Sequence, residues 1–377
     1  MTTLSPRGYI SRVGLCALGL GVLIVISPGI GTQSASVGWW DAWRARLGLT
    51  IHPSELLNRP LADHDGNGEI SHKEMDDYRE VARHIFKQRF ARALLALLVG
   101  MTLALCGGTF QVLFRNPLAT PYTLGIASGG ALGATVAIRF GVHQALVGFP
   151  TTVLFALLGG VAVVCIVFIL ARGSRRLTSN ELLLAGVTMG LFCSAMMITV
   201  QMISNERQTF RMVRWMMGSL DTITSGKPLT ILPFVLPAWV ILIGSARSLN
   251  QYRMGDDLAL SRGVNVTRLV AVCVFVATLA TAAVVAHCGP IGFVGLVVPH
   301  IVTLVLGRDC RVMLPAAAIA GGAFLILCDW ASQIGMRAAG WATGRELGSA
   351  ILPIGAVTAV VGVPVFLALL RTRRRFL

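Results

Sequence analysis

Apolar residues in this chain come in long runs, not in the alternation or three-to-four spacing of a water-soluble fold. Such runs recur at about 12–29, 91–112, 121–140, 148–171, 181–204, 228–246, 267–287, 293–307, 313–333 and 352–370. A helix needs about 20 residues to cross the hydrocarbon core, and in lipid it satisfies its own backbone hydrogen bonds without a partner strand. The pattern predicts an all-α polytopic membrane protein of about ten transmembrane helices. Short Gly- and Pro-bearing connections separate most of the runs.

Composition agrees with this. Of 377 residues, 55% are hydrophobic and only 13% charged, about half the charge density of a soluble domain. The net charge of +15 sits in short connections, such as Arg172, Arg175 and Arg176 or Arg371, Arg373, Arg374 and Arg375. No basic patch is interleaved with aromatics, so nucleic acid is not the implied partner. With the N-terminus inside, the short cytoplasmic segments hold 16 Lys+Arg and the short outer loops 7, with 9 more in the long outer stretch 33–92. The positive-inside rule then places both termini in the cytoplasm. Residues 1–36 carry a second reading as a cleaved leader, with Arg7 and Arg12 before an apolar core and Ser34-Ala35-Ser36 as the cleavage site. The eight cysteines form no CxxC pair and read as small packing residues.

The expected organisation is a first helix in 1–32, an extracytoplasmic insert in 33–90, helices 2–6 in 91–246, a polar cytoplasmic segment in 247–266, and helices 7–10 with a basic tail in 267–377. An internal repeat is also visible. Cys106, Gly107, Pro117 and Gly125 return as Cys288, Gly289, Pro299 and Gly307 at a constant offset of 182. This pairs the second span with the seventh. Five spans per unit is an odd number, so the two copies face opposite ways, an arrangement characteristic of transporters.

The insert carries chemistry of its own. Residues 63–74 match the calcium loop of an EF-hand. Asp63, Asp65 and Asn67 offer side-chain oxygens, Gly68 permits the turn, and Glu69 supplies a backbone carbonyl. Ser71 suits the water-bridged position and Glu74 the bidentate one. Hard oxygen donors at this spacing predict Ca²⁺, against the plainer reading of a polar surface loop. Pro60 interrupts the incoming helix, while Met75, Tyr78, Ala82 and Ile85 give the outgoing one an apolar face.

Five ordered blocks resemble the FecCD/BtuC-type permeases of bacterial ABC importers, over nearly all of the chain except about 33–80. They are Gly107-Gly108 to Gln111 with Phe114-Arg115-Asn116-Pro117-Leu118-Ala119-Thr120-Pro121; Leu182 to Val187; Trp215-Met216-Met217-Gly218-Ser219; Gly289-Pro290-Ile291-Gly292-Phe293-Val294-Gly295 through Pro299-His300; and Leu352-Pro353-Ile354-Gly355 with Gly362 to Phe366. Physically, such glycines permit close helix packing and the prolines break helices beside a cavity.

The resemblance implies a permease subunit in the bacterial inner membrane, moving an iron chelate, haem or cobalamin-like substrate. It pairs with a second copy or a paralogous permease, is driven by cytoplasmic ATPase subunits, and receives substrate from an extracytoplasmic binding protein. The chain itself has no GxxxxGK[ST] loop for ATP. The segment Met254 to Val266, with Gly255, Asp256, Asp257, Arg262 and Gly263, is similar to the ATPase-coupling segment. Arg89 and Arg92 stand where docking arginines for the binding protein are expected, with Ala91 in place of proline. Gln333 replaces a further arginine after Asp329, Thr303 another, and Ile351 an acid, after an insertion containing Arg345 and Glu346. An ATP-independent secondary transporter or channel with a calcium-stabilised outer loop is the alternative, and it requires mid-membrane ionisable residues. A membrane enzyme would need a nucleophile–base set or an HExxH helix, and neither is present.

Overall fold

A computed structural model describes residues 14, 19–27, 43–44, 46–47, 71–141, 145–146, 149–171, 179–220, 227–343 and 351–373. The proposed calcium positions Asp63, Asp65, Asn67 and Glu69 lie outside this set, as do the leader reading's cleavage site and the 345–346 insertion. Within it the regular elements are helices apart from the two-residue strands Ala145–Leu146 and Phe149–Pro150.

Helix α1, His72–Leu113, is 42 residues long. The sequence places its apolar part at 91–112, but the amphipathic stretch before it continues the same helix without a proline. At 1.5 Å per residue the rod is about 63 Å long. Then follow α2 (Ile126–Arg139), α3 (Thr151–Ala171), α4 (Ser179–Met202), α5 (Glu206–Met216) and α6 (Lys227–Gly244). After them come α7 (Ala246–Arg253), α8 (Asp256–Ser261), α9 (Val266–Cys288), α10 (Val294–Leu306), α11 (Cys310–Thr343) and α12 (Ile354–Arg373).

Among the described residues five helices are long and apolar enough to cross a membrane, six if the 51° bend joining α6 to α7 is counted as one span. Helices α2, α10 and part of α12 are apolar but shorter. Large apolar side chains such as Leu184, Leu191, Val240 and Val360 stand exposed on the helix surfaces, a surface that suits lipid or another membrane subunit. The molecule is a multi-pass membrane protein.

Close helix packing comes from glycine. A Cβ on Gly107 would stand 1.8 Å from the carbonyl oxygen of Gly295, and one on Gly100 2.2 Å from that of Gly321, so α1 presses directly on α10 and α11. Helices α2 and α3 meet the same way through Gly129, Gly133 and Gly159. The packing is reciprocal: α1 lies against α10 and α11, while α9 lies against α2 and α3.

The constant offset of 182 does not survive as a register. Cys106 lies inside α1, whereas Cys288 ends α9. Pro117 lies in the turn after α1, whereas Pro299 is inside α10. Gly125 precedes α2, and Gly307 follows α10. The residue matches arise because every tightly packed membrane helix draws on the same small residues.

Candidate functional site

Two polar clusters mark opposite ends of the bundle. From Arg92 to Leu113 the axis of α1 rises about 32 Å, close to the ~30 Å hydrocarbon thickness. At the first end Asp329 of α11 is buried and accepts from Arg92 Nε at 2.8 Å and Nη2 at 2.7 Å. Its other oxygen accepts from Gln333 Nε2 at 2.8 Å. One turn of α11 gathers further partners: the Ser332 hydroxyl donates to the Leu352 carbonyl, and Trp330 Nε1 to Ser27 Oγ.

Around this point three turns converge. Gly355 N–H donates to the Met217 carbonyl at 3.1 Å, and Ser219 N–H to that of Cys288 at 2.7 Å. A Cβ on Gly289 would meet the Trp215 carbonyl at 2.4 Å, and one on Gly218 the Pro290 carbonyl at 2.6 Å. Both glycines hold φ of +71°, a left-handed backbone that disfavours any side chain. The blocks Trp215–Ser219, Gly289–Gly295 and Leu352–Gly355, far apart in sequence, are one structural unit. Phe293 starts α10 at φ +66°. Further along, Pro299 lacks the N–H that would bond the Gly295 carbonyl, and that carbonyl faces Gly107. Gln111 Nε2 donates to the next carbonyl, Leu296, at 3.0 Å. His300 is half-buried in the same helix.

This end alters the expected role of the docking arginines. Arg89 is buried, and Arg92 is 12% exposed with its guanidinium committed to Asp329. Neither is the exposed cation that docking requires. With glutamine at position 333, the buried Asp329 carboxylate takes its counter-charge from Arg92.

At the second end Arg115, at φ +48°, donates to the Tyr252 carbonyl at 2.8 Å and to the Asp256 carboxylate. Its guanidinium also lies 4.7 Å from the Tyr252 ring centroid. Tyr252 Oη donates back to the Leu113 carbonyl at 3.1 Å. Asn250 donates to Asp309 at 2.7 Å and accepts from Cys310 N–H at 2.8 Å. The 246–263 segment is therefore clamped to the end of α1 and the start of α11. Hydrogen bonding from Arg311, then from Asn250, lowers the Asp309 pKa to about 2. Its stabilising effect is complete above the ordinary carboxylate range near 4 and is lost only as pH falls through about 2, so this clamp is constitutive at neutral pH. Gly255 (φ +134°) and Gly263 (φ +80°) frame α8 in open space, and Asp257 and Arg262 are exposed beside it. Asn116 Oδ1 accepts from Leu118 N–H at 2.9 Å, so Asn116 and Pro117 form the turn that ends α1.

Between the ends lies a cavity of about 180 Å³ at the junction of the two halves, with Leu103, Tyr122, Thr281, Phe293 and Leu296 in its wall. Sites for drug-sized ligands are ~300–1,000 Å³, so this void does not hold a chelate or macrocycle.

The proposed calcium residues within the described set have another use. Ser71 caps α1, with its N–H and hydroxyl donating to Glu74 Oε2 at 2.9 and 2.8 Å and its Oγ accepting from Glu74 N–H. This is a capping box, a reading of Ser71-x-x-Glu74 that the sequence equally allows. The pairs Arg92–Asp329 and Arg115–Asp256 carry no local sequence signal, since each joins residues more than a hundred positions apart.

The family profile of the FecCD transport family matches residues 21–372. The chain belongs to the FecCD transport family. It is 35% identical over 289 residues to the hemin transport system permease protein HmuU of Yersinia pestis, covering 76% of this chain and 82% of that one. The cobalamin import system permease protein BtuC of Halobacterium salinarum is 35% identical over 286 residues, 76% and 72% of the two chains. The structure of a metal-chelate type ABC transporter in an inward-facing conformation superposes with a TM-score of 0.73 at 27% identity, over 96% of this FecCD chain and 99% of that one.

Proposed function

We propose that this chain is the membrane-spanning permease subunit of an ABC importer, moving an iron chelate, haem or cobalamin-like substrate into the cytoplasm. The observation that carries the reading is the pair of opposed polar ends joined by α1, on a fold shared with a metal-chelate transporter. One end offers α8 and its framing glycines as a coupling surface for a cytoplasmic ATPase subunit. The other end, the three converging turns, faces an extracytoplasmic binding protein. The cavity walled by Leu103, Tyr122 and Phe293 is too small for the substrate; the reading places the path between two permeases, this chain and a second copy or a paralogue. Ten spans with both termini cytoplasmic in the bacterial inner membrane complete the arrangement.

The test is reconstitution with the ATPase subunits. A side chain at φ +80° costs about 1–2 kcal/mol of backbone strain, so Gly263→Trp should cut ATP-driven uptake about tenfold while the protein still folds in membranes. Uptake by this chain alone, at a rate indifferent to added ATPase, refutes the reading and favours the ATP-independent alternative.

The outer insert is proposed to bind Ca²⁺ through Asp63, Asp65, Asn67, Glu69, Ser71 and Glu74. The loop pattern supports this, and binding draws Glu74 out of its cap on α1. Titration of the purified full chain should show calcium binding at or below ~1 mM that Glu74→Gln abolishes. Labelling of Ser71→Cys by an impermeant thiol reagent should proceed in intact spheroplasts. Identical calorimetric traces for the two proteins eliminate the metal, and labelling only after lysis inverts the topology.

A further inference from the structure

Helix α5 is 11 residues long and strongly two-faced. Arg207, Arg211 and Arg214 recur at i, i+4 and i+7, one stripe of a helix, and all three are exposed. Phe210, 69% exposed, and Met217 flank the stripe on one side, and the exposed Glu206 lies on that same side, about 100° from Arg207. The helix is held rigidly. Asn205 and Gln208 form a capping box, Gln208 Nε2 donates to the Arg139 carbonyl at 2.9 Å, and the far end is stitched to the Gly289 and Gly355 turns.

In the topology proposed above, α5 stands on the outer side. Positive-inside bias keeps short outer loops poor in cations, yet three of the seven Lys+Arg in those loops lie on this one helix. The choice is arginine at every position, the side chain whose planar fork meets carboxylates and other oxyanions bidentately. A membrane-edge anchor would be served as well by lysine. The exposed apolar face of α4, with Leu191 and Met202, adjoins α5.

We infer that Arg207, Arg211 and Arg214 form an entry site selecting a polyanionic substrate with an apolar or aromatic body, of the carboxylate-bearing macrocycle or catecholate iron-chelate class. The guanidinium stripe takes the oxyanions, and Phe210 and Met217 take the apolar part. This rests on the permease reading above and narrows it to one charge class of substrate.

The probes are a ferric tris-catecholate (trianionic), haem (two carboxylates) and a neutral ferric tris-hydroxamate, with uptake measured on the full chain reconstituted with its ATPase. Uptake of both anionic probes should exceed that of the neutral one. Arg207→Gln/Arg211→Gln should lower anionic uptake about tenfold, the scale of lost charge-assisted hydrogen bonds, and leave neutral uptake unchanged. Arg207→Lys/Arg211→Lys should recover only part. Equal losses for anionic and neutral probes make α5 a structural element and overturn the inference. So does a loss seen only with the binding protein present, which makes the stripe a docking surface, or one that disappears in vesicles without anionic lipid, which makes it an anchor. ATP-driven transport confined to the neutral probe overturns the inference but spares the permease reading; no ATP-driven transport of any probe overturns both.

Discussion

Asp329→Ala should cost the folded chain about 3–5 kcal/mol, the scale for removing one partner of a buried ion pair. Arg92 and Asp329 retain only 12% and 3% exposure, so the truncation leaves a guanidinium buried beside Gln333 with its carboxylate gone. The double variant Arg92→Met/Asp329→Leu should recover most of that loss, because two apolar side chains remove the desolvation cost together with the attraction. Thermal unfolding of purified protein in nanodiscs measures both. Additive losses in the double variant would show that the two side chains do not act as a pair.

Gly107 gives the second large effect. Alanine places its Cβ 1.8 Å from the Gly295 carbonyl oxygen, a backbone atom that cannot swing aside. We expect Gly107→Ala to cost at least the ~1–3 kcal/mol of ordinary overpacking, and Gly107→Leu to abolish folded protein in the membrane. Gly292, in the same glycine-rich block, has open space around it, so Gly292→Ala should stay within about 0.5 kcal/mol. Equal tolerance at both positions would mean that α1 and α10 are not in backbone contact.

That contrast marks what the sequence discloses. The apolar runs announce the helices because lipid demands long unbroken stretches, and the glycine-rich blocks announce close packing. Which glycine bears the contact is invisible in one dimension: Gly289, Gly292 and Gly295 look alike, but only the first and last of them meet backbone. The full length of α1 was hidden by its change of character at Arg92, from amphipathic to apolar, although nothing there stops a helix. Arg92 read as a docking residue because its destination, Asp329, is 237 positions away. Ser71 and Glu74 fit a metal loop and a helix cap equally well. The offset of 182 matched residues that hold different places in their helices, because small residues recur wherever helices pack closely.

Helix α1 carries Ser71 at one tip and, just past its other end, Arg115 gripping the 246–263 segment. Helices bend sharply at proline or where the hydrogen-bond ladder is interrupted, and α1 has no proline along its 42 residues. Ser71 and the Arg115 grip are therefore linked through one unbroken helical backbone, with no relay of side chains between.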